Sequence, residues 1–150
     1  MRIEHSIEID EPIERVWELT LDVEAWPEHT PSMTSVELLD DPLLVGSRAR
    51  IKQPAQREKV WTVTALVPRR RFAWTTKSMG TVMTASHRLA ESASGTTNTL
   101  TIDIEGALAP VIGFLLRRPI RSALTQENEG FKAWAEGTAS EQRSLAAPAS

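Results

Sequence analysis

Histidines are the side chains of this sequence best suited to proton transfer near neutral pH, and the chain has 3 of them. His87 and His5 each fall on the apolar side of a run in which apolar and polar residues alternate, so both are predicted to point inward. Such an imidazole could act as an acid, a base or a ligand-anchoring donor, or it could be a hydrogen-bonded histidine of the core. His29 stands between Pro27 and Pro31 and is predicted to lie in a loop. His87 is the candidate catalytic residue, because few other ionisable groups are expected near it.

Other kinds of reactive site find little support. The histidines lie far apart in the chain and no local carboxylate spacing joins them, so we predict no metal site. Neither of the glycine-rich phosphate-loop patterns occurs, nor does the GxSxG elbow of a nucleophilic serine, so no cofactor is predicted. The chain has no cysteine and no tyrosine, which excludes disulfides, thiolate ligands and a phenolic proton donor.

Length and charge indicate one ordinary globular domain. The chain has 150 residues, the usual size of a single domain, and its net charge of −3 gives no basic surplus for nucleic acid, which we do not expect as a partner. The first residues lack the pattern of a signal peptide, and the longest apolar run, residues 107–116, is far shorter than the roughly 20 residues that cross a bilayer. We therefore expect a cytoplasmic protein. The domain is predicted over residues 1–137, and the small, polar residues 138–150 are predicted to form a disordered tail.

The elements that position the histidines begin with a strand and two short helices. Residues 2–9 alternate between apolar and polar side chains, as in a half-buried strand. Asp10 is placed to cap a helix with Pro12 in its first turn, and apolar residues then recur at helical spacing to residue 21. Asp22 could cap a second brief helical turn, which Trp26 and Pro27 are predicted to end.

Six further strands and a long helix follow. Short alternating runs between turn residues predict strands near residues 33–39, 47–53, 58–67, 70–78, 81–90 and 96–105. After Pro110 a helical pattern runs to about Glu136, with an apolar stripe that would cover one face of the sheet. Pro119 lies inside this pattern and is predicted to kink or break the helix.

Strand, two short helices, six strands and a long helix together resemble the helix-grip fold of START-related polyketide cyclases and lipid-transfer proteins, the SRPBCC superfamily. The resemblance is carried by IEIDEPIERVWELTLDVEAWPEHTP, LVGSRARI, VPRRRFAW, SGTTNTLTI and NEGFKAWAEG, which are spread from Arg2 to Gly137. It implies an α+β fold, in which a seven-stranded curved antiparallel sheet wraps around the long C-terminal helix. It also implies an internal cavity, but no fixed catalytic motif.

One helix cannot fill a curved seven-stranded sheet, so we predict a pocket for an apolar small molecule between them. The predicted ligand-binding residues from the strands are His5, Trp61, Val63, Phe72, Trp74, Met83 and Leu89. Those from the long helix are Leu116, Ile120 and Leu124. The same residues could instead pack on one another as ordinary core.

Three functions remain open at this point. The first is a binding or carrier protein for an apolar or polyketide-like molecule. The second is a cofactor-independent cyclase or dehydratase that acts on the same kind of molecule; because cyclases of this resemblance use polar groups in the cavity, the absence of tyrosine counts against it. The third is an interaction protein resembling the chaperone activators that share this fold. Cavity volume separates the first two from the third, and turnover separates the second from the first.

Two basic clusters complete the candidate sites. One is formed by residues 69–71, and the other by Arg117, Arg118 and Arg121 beside the apolar run at residues 107–116. Such clusters are usually solvated surface. The second could instead make a transient contact with a membrane surface while a lipid is loaded or released.

Overall fold

A computed structural model describes residues 1–78 and 80–146, with side chains described as far as residue 137. The strands are β1 (Arg2–Ile9), β2 (Ser35–Leu38), β3 (Arg48–Lys52), β4 (Lys59–Val67), β5 (Arg71–Ser78), β6 (Thr81–Glu91) and β7 (Thr96–Glu105). The helices are α1 (Ile13–Leu21), a 3₁₀ helix at Val23–Glu28, and α2 (Ala109–Ala146). Each strand overlaps the range predicted from its alternating pattern.

The strands form one antiparallel sheet in the order β1-β7-β6-β5-β4-β3-β2. Every pair of neighbours in it is antiparallel, and a register shift between Val63 and Ala65 interrupts the pairing of β4 with β5. Together with the long C-terminal helix, this sheet confirms the predicted helix-grip α+β fold.

The ends of the two short helices differ from the prediction. Pro12, rather than Asp10, occupies the N-cap of α1, with no side-chain cap, and its carbonyl accepts the amides of Arg15 and Val16. An N-cap residue takes part in the helix through its carbonyl, so the missing N–H of proline removes no helical hydrogen bond here. The 3₁₀ helix was predicted to end at Trp26 and Pro27, but it includes Pro27 and ends at Glu28. Its last hydrogen bonds are donated by the amides of His29 and Thr30, which follow the proline, to the Trp26 carbonyl.

Helix α2 is one continuous element from Ala109 to Ala146. Pro119 lies inside it without breaking it. The carbonyl that loses its partner belongs to Leu115, on the exposed side of the helix, where water can replace the missing hydrogen bond. The helix also continues past the predicted end near Glu136. The disordered tail was predicted for residues 138–150, whose side chains lie outside the described part of the chain, as does the backbone of residues 147–150.

The hydrophobic core is unevenly divided along α2. The larger cluster joins α1, the 3₁₀ helix and the inner faces of several strands to Phe131 and Ala135 in the later part of α2. A small cluster of Ile3, Leu100 and Leu124 lies further toward the start of the helix. Because α2 packs mainly on β1 and β7, its first half leaves the inner face of the more distant strands uncovered, and the cavity lies there.

Candidate functional site

A cavity of about 380 Å³ lies between α2 and the inner face of the sheet. From the sheet and its turns it is lined by Met33, Ile51, Gln53, Gln56, Lys59, Trp61, Trp74, Met83, Ala85, Ser86, His87, Leu100, Thr101 and Ile102. From α2 it is lined by Leu116, Pro119, Ile120, Ala123, Leu124 and Glu127. Apolar walls with a few polar groups are the usual form of a small-molecule site.

The cavity runs from an exposed mouth to a buried end. Leu116 and Pro119 on α2 and Gln56 in the β3–β4 turn are exposed and border the mouth. His87 and Glu127 are buried at the other end, one on a strand and one on the helix. Lys59 and Glu127 are the lysine and the carboxylate of the cavity lining. Lys59 lies near Gln56 at the start of β4, and Glu127 lies at the buried end.

The buried end holds a histidine–carboxylate pair. His87 Nε2 lies 3.3 Å from Glu127 Oε1, and the two side chains are only 4% and 9% exposed. An ionised Glu127 favours the tautomer of His87 that carries its proton on Nε2, facing the carboxylate oxygen across this contact. The second nitrogen, Nδ1, is buried and has no hydrogen-bond partner within the described residues. A buried polar atom without a partner calls for an explanation, and here Nδ1 is shielded from the cavity as well as from solvent.

Aromatic rings hold His87 in place. The indole of Trp26 lies 4.7 Å from the imidazole in a tilted stack, and Phe72 and Phe131 present T-shaped contacts at 6.0 Å and 5.5 Å. Trp26 is itself 1% exposed and donates its indole N–H to the Leu19 carbonyl at 3.2 Å. The 3₁₀ helix that carries Trp26 therefore supplies the support beneath the imidazole.

Most of the predicted wall residues lie on the cavity: Trp61, Trp74, Met83, His87, Leu116, Ile120 and Leu124. Four are not part of the cavity lining: Val63, Phe72, Leu89 and His5. Val63 and Phe72 point inward but are filled core, at 1% and 0% exposure. Leu89 lies beyond His87 on β6, where it belongs to the larger core cluster and borders a surface groove with Arg69 and Arg70.

His5 also lies off the cavity wall, because it is part of a buried amide network. Asn128 Nδ2 donates to His5 Nδ1 at 2.8 Å and to the His5 carbonyl at 2.9 Å. Asn98 Nδ2 in turn donates to Asn128 Oδ1 at 2.8 Å. This network ties β1 and β7 to α2, so the imidazole of His5 has a structural partner.

His29 stacks on Trp134 with ring centres 3.9 Å apart at the end of the 3₁₀ helix, away from the cavity.

Comparison with known proteins places the fold in a family. Residues 1–136 match the family described as polyketide cyclase / dehydrase and lipid transport. The chain belongs to this family. Membership agrees with the SRPBCC resemblance predicted from the sequence. None of the curated proteins matches this chain.

Solved structures of similar fold include two aromatase/cyclases. The di-domain aromatase/cyclase StfQ of the steffimycin biosynthetic pathway is 14% identical, with a TM-score of 0.74 over 93% of this chain and 51% of that one. The Zhui aromatase/cyclase from Streptomyces sp. R1128 is 20% identical, with a TM-score of 0.68 over 91% of this chain and 93% of that one. The protein TTHA0849 from Thermus thermophilus is also 20% identical, with a TM-score of 0.68 over 92% and 99% of the two chains. At these identities the likeness establishes the fold alone.

In this member of the polyketide cyclase / dehydrase and lipid transport family, Glu127 is the charged residue of the buried end that sequence reasoning missed. A signal was present, because Glu127 lies three residues after Leu124 and four before Phe131, within the apolar stripe of α2. A carboxylate in such a stripe must be buried or distort the packing, and it needs a partner if buried. Its partner comes from β6, which periodicity within the helix could not reveal.

Metal binding and membrane crossing find no support in the described part of the chain. No three His, Asp or Glu side chains in it come close enough together to hold a metal ion. None of its helices is both long and apolar enough to cross a membrane.

Proposed function

We propose that this protein binds an apolar, polyketide-like small molecule in the cavity, with a polar group of the ligand against His87. The observation that carries the proposal is the cavity of about 380 Å³ between indole and aliphatic walls. Its volume falls within the roughly 300–1,000 Å³ typical of ligand sites. Family membership supports the same class of function, since the family description names polyketides and lipids.

The chemistry of the buried end defines the polar group. With the Nε2 side of the ring facing Glu127, Nδ1 is the nitrogen left to accept a hydrogen bond, so it matches a hydroxyl or enol donor on the ligand. Nδ1 is covered in this structure, so the side chains around it must move for that donor to reach it. Of the other polar lining groups, Gln53, Gln56 and Lys59 are at least partly exposed, whereas Ser86 and Thr101 are buried like His87. A ligand with an apolar ring body and a hydroxyl at its inner end fits this distribution.

Two probes that differ by one hydroxyl test both parts of the proposal. We expect both 2-naphthol and naphthalene to bind by calorimetry and to change tryptophan emission, because Trp61 and Trp74 line the cavity. The hydroxyl should add about 0.5–1.5 kcal/mol of affinity, the worth of one hydrogen bond. If neither probe binds, and native mass spectrometry of the freshly purified protein finds no bound small molecule, the binding function is wrong. Equal affinities for the two probes would contradict only the contact with His87.

A pair of variants isolates the imidazole. In the double variant His87→Phe/Glu127→Gln the ring nitrogen is gone and no ionised carboxylate is left unpaired, so the preference for 2-naphthol should disappear. Glu127→Gln alone is the matched control, and it should keep the preference because His87 Nδ1 is still present. If the two variants behave alike, the hydroxyl binds elsewhere.

The histidine–carboxylate pair also favours a second candidate, a cofactor-independent cyclase or dehydratase. A neutral His87 oriented by Glu127 could take the proton from a carbon between two ketones of a poly-β-ketone chain. The resulting enolate would attack a second ketone of the same chain to close a ring, and loss of water would follow. Turnover that falls roughly 10²- to 10⁴-fold in His87→Ala while binding is retained would establish this function. With no turnover in the wild type, the carrier function stands.

A further inference from the structure

The start of α2 exposes a row of large apolar side chains. Phe114 is 79% exposed, Leu115 66% and Val111 57%, and Leu108 just before the helix is 49% exposed. These four side chains lie within eight positions of one another, whereas exposed apolar residues are usually scattered singly over a surface. A contiguous group of this kind indicates a surface that is covered by something else.

The next turns of the same face are basic. At about 100° per residue, Arg118 and Arg121 lie close to the direction of Phe114, and Arg117 lies beside them. All three arginines are exposed, and none takes part in the ion pairs found among the described residues. Residues 106–126 contain these arginines and no acidic residue, although the whole chain carries a net charge of −3. The charge is therefore concentrated beside the apolar row. We call the seven side chains together the Phe114 face.

The Phe114 face shares its turns with the mouth of the cavity. Leu116, Pro119 and Ile120 border the cavity from the opposite side of the same stretch of helix. Leu115 of the Phe114 face and Pro119 of the cavity wall are four positions apart and both exposed, so they join the two surfaces. Whatever covers the Phe114 face therefore lies next to the opening through which a ligand passes.

We propose that the Phe114 face docks on a bilayer surface that contains anionic lipid. Apolar side chains would enter the boundary between headgroups and acyl chains, and the arginines would contact lipid phosphates, as in interfacial helices. A second copy of this chain fits less well, because a symmetric contact would bring two sets of unpaired arginines together. A bilayer with anionic lipid offers acyl chains to the apolar side chains of the Phe114 face and phosphates to its arginines.

Sedimentation with vesicles tests the proposal on the full chain. We expect binding to vesicles of equal parts phosphatidylglycerol and phosphatidylcholine, little binding to phosphatidylcholine alone, and weaker binding at high salt. Arg117→Gln/Arg118→Gln should weaken binding by roughly fivefold for each arginine, from about 1 kcal/mol per basic residue. Phe114→Ser/Leu115→Ser should weaken it by about tenfold or more, because two exposed apolar side chains are lost from the contact.

A matched control uses a different exposed apolar pair. Leu44 and Val45 are 56% and 62% exposed and lie in the β2–β3 turn, at the opposite end of β3 from the cavity mouth. Leu44→Ser/Val45→Ser should leave vesicle binding unchanged, and all three variants should keep the wild-type affinity for 2-naphthol. Equal loss in this control, or equal binding to vesicles without anionic lipid, would overturn the proposal. Self-association in ultracentrifugation that disappears in Phe114→Ser/Leu115→Ser would also overturn it and assign the face to a second copy.

Discussion

The two halves of α2 perform different tasks although they belong to one continuous helix. The later half is packed into the fold, with Asn128 and Ala135 fully buried and Phe131 in the aromatic cluster around Trp26. The earlier half borders the cavity on one side and exposes Phe114 and its neighbours on the other. The difference indicates that the sheet holds the helix by its later half, while the earlier half lines the cavity and is exposed at the surface.

The largest expected effect comes from breaking the amide network in the packed half. Asn128→Ala would remove the acceptor of the buried Asn98 amide and the donor to the partly buried His5. Unsatisfied buried groups cost about 1–3 kcal/mol each, so we expect a loss of about 3 kcal/mol in the free energy of unfolding, measured with urea. Thr125→Ala is the control one turn earlier, where the hydroxyl bonds only its own helix at Arg121, and its effect should stay within about 0.5 kcal/mol. Similar losses in the two variants would contradict the importance of the network.

Two glycines of α2 should respond with opposite signs. A Cβ at Gly130 would collide with the His29 carbonyl oxygen, which is backbone and cannot turn aside, whereas a Cβ at Gly137 would meet nothing. Gly130→Ala should therefore destabilise the fold by about 1–3 kcal/mol. Gly137→Ala should stabilise it by up to about 1 kcal/mol, because alanine favours helix. Thermal or urea unfolding checks both, and a stabilising Gly130→Ala would show that the later half of α2 is not tightly packed.

Most of the fold could be predicted because its signals are local. Alternating runs broken by turn residues define the strands, and an apolar stripe at helical spacing defines α2. The helix ends were harder to predict from the sequence. Asp10 and Pro12 are both favourable residues near a helix start, and only the three-dimensional course of the backbone shows which of them is the N-cap.

The site could be predicted only in part. Strand alternation indicates which side chains point inward, and it predicted an inward His87, which the structure buries. It did not decide which face of its strand Trp61 occupies. It does not show where the covering helix leaves a gap, so inward residues such as Val63 and Phe72 could not be told from the cavity wall. Glu127 and His87 are 40 positions apart in the chain, and only their packing across the helix–sheet interface makes them a pair.

A third prediction compares the cavity with filled core. Ile120→Trp adds volume where the wall faces empty space, so the free energy of unfolding should change by less than about 1.5 kcal/mol while 2-naphthol binding weakens at least about tenfold. Val63→Trp is the matched control in filled core, at 1% exposure, and it should destabilise by about 1–3 kcal/mol or more. Calorimetry and urea unfolding measure the two quantities. If Ile120→Trp proves as destabilising as Val63→Trp, the early half of α2 has no free space beneath it.

The smallest expected effect concerns Glu8, an exposed residue that connects the sheet to the packed half of α2. The hydroxyls of Ser92, Thr97 and Ser94 lower the pKa of the Glu8 carboxyl below its usual value of 4.5, and the charge of Lys132 on α2 acts in the same direction. Thr97 and Ser94 donate hydrogen bonds to its two carboxylate oxygens. Because the pKa is lower in the folded than in the unfolded chain, the carboxylate stabilises the fold above about pH 4.5, and that contribution disappears as the pH falls through the folded value. Since Glu8 is exposed, solvent keeps the contribution small.

Thr97→Val removes one of the hydrogen-bond donors to Glu8, so the pKa of Glu8 should rise toward 4.5 in an NMR titration of its carboxyl carbon. Thr99→Val is the control, because Thr99 bonds Ser6 on the same pair of strands and not Glu8. Lys132→Gln should raise the pKa of Glu8 by less than Thr97→Val does, because Lys132 is the weakest of these influences. Phe114→Ser/Leu115→Ser should leave the pKa of Glu8 unchanged, because the early half of α2 makes no contact that reaches it. A shift of that pKa in the Phe114 variant would mean that the two halves of the helix are coupled, and that the early half also contributes to holding the fold.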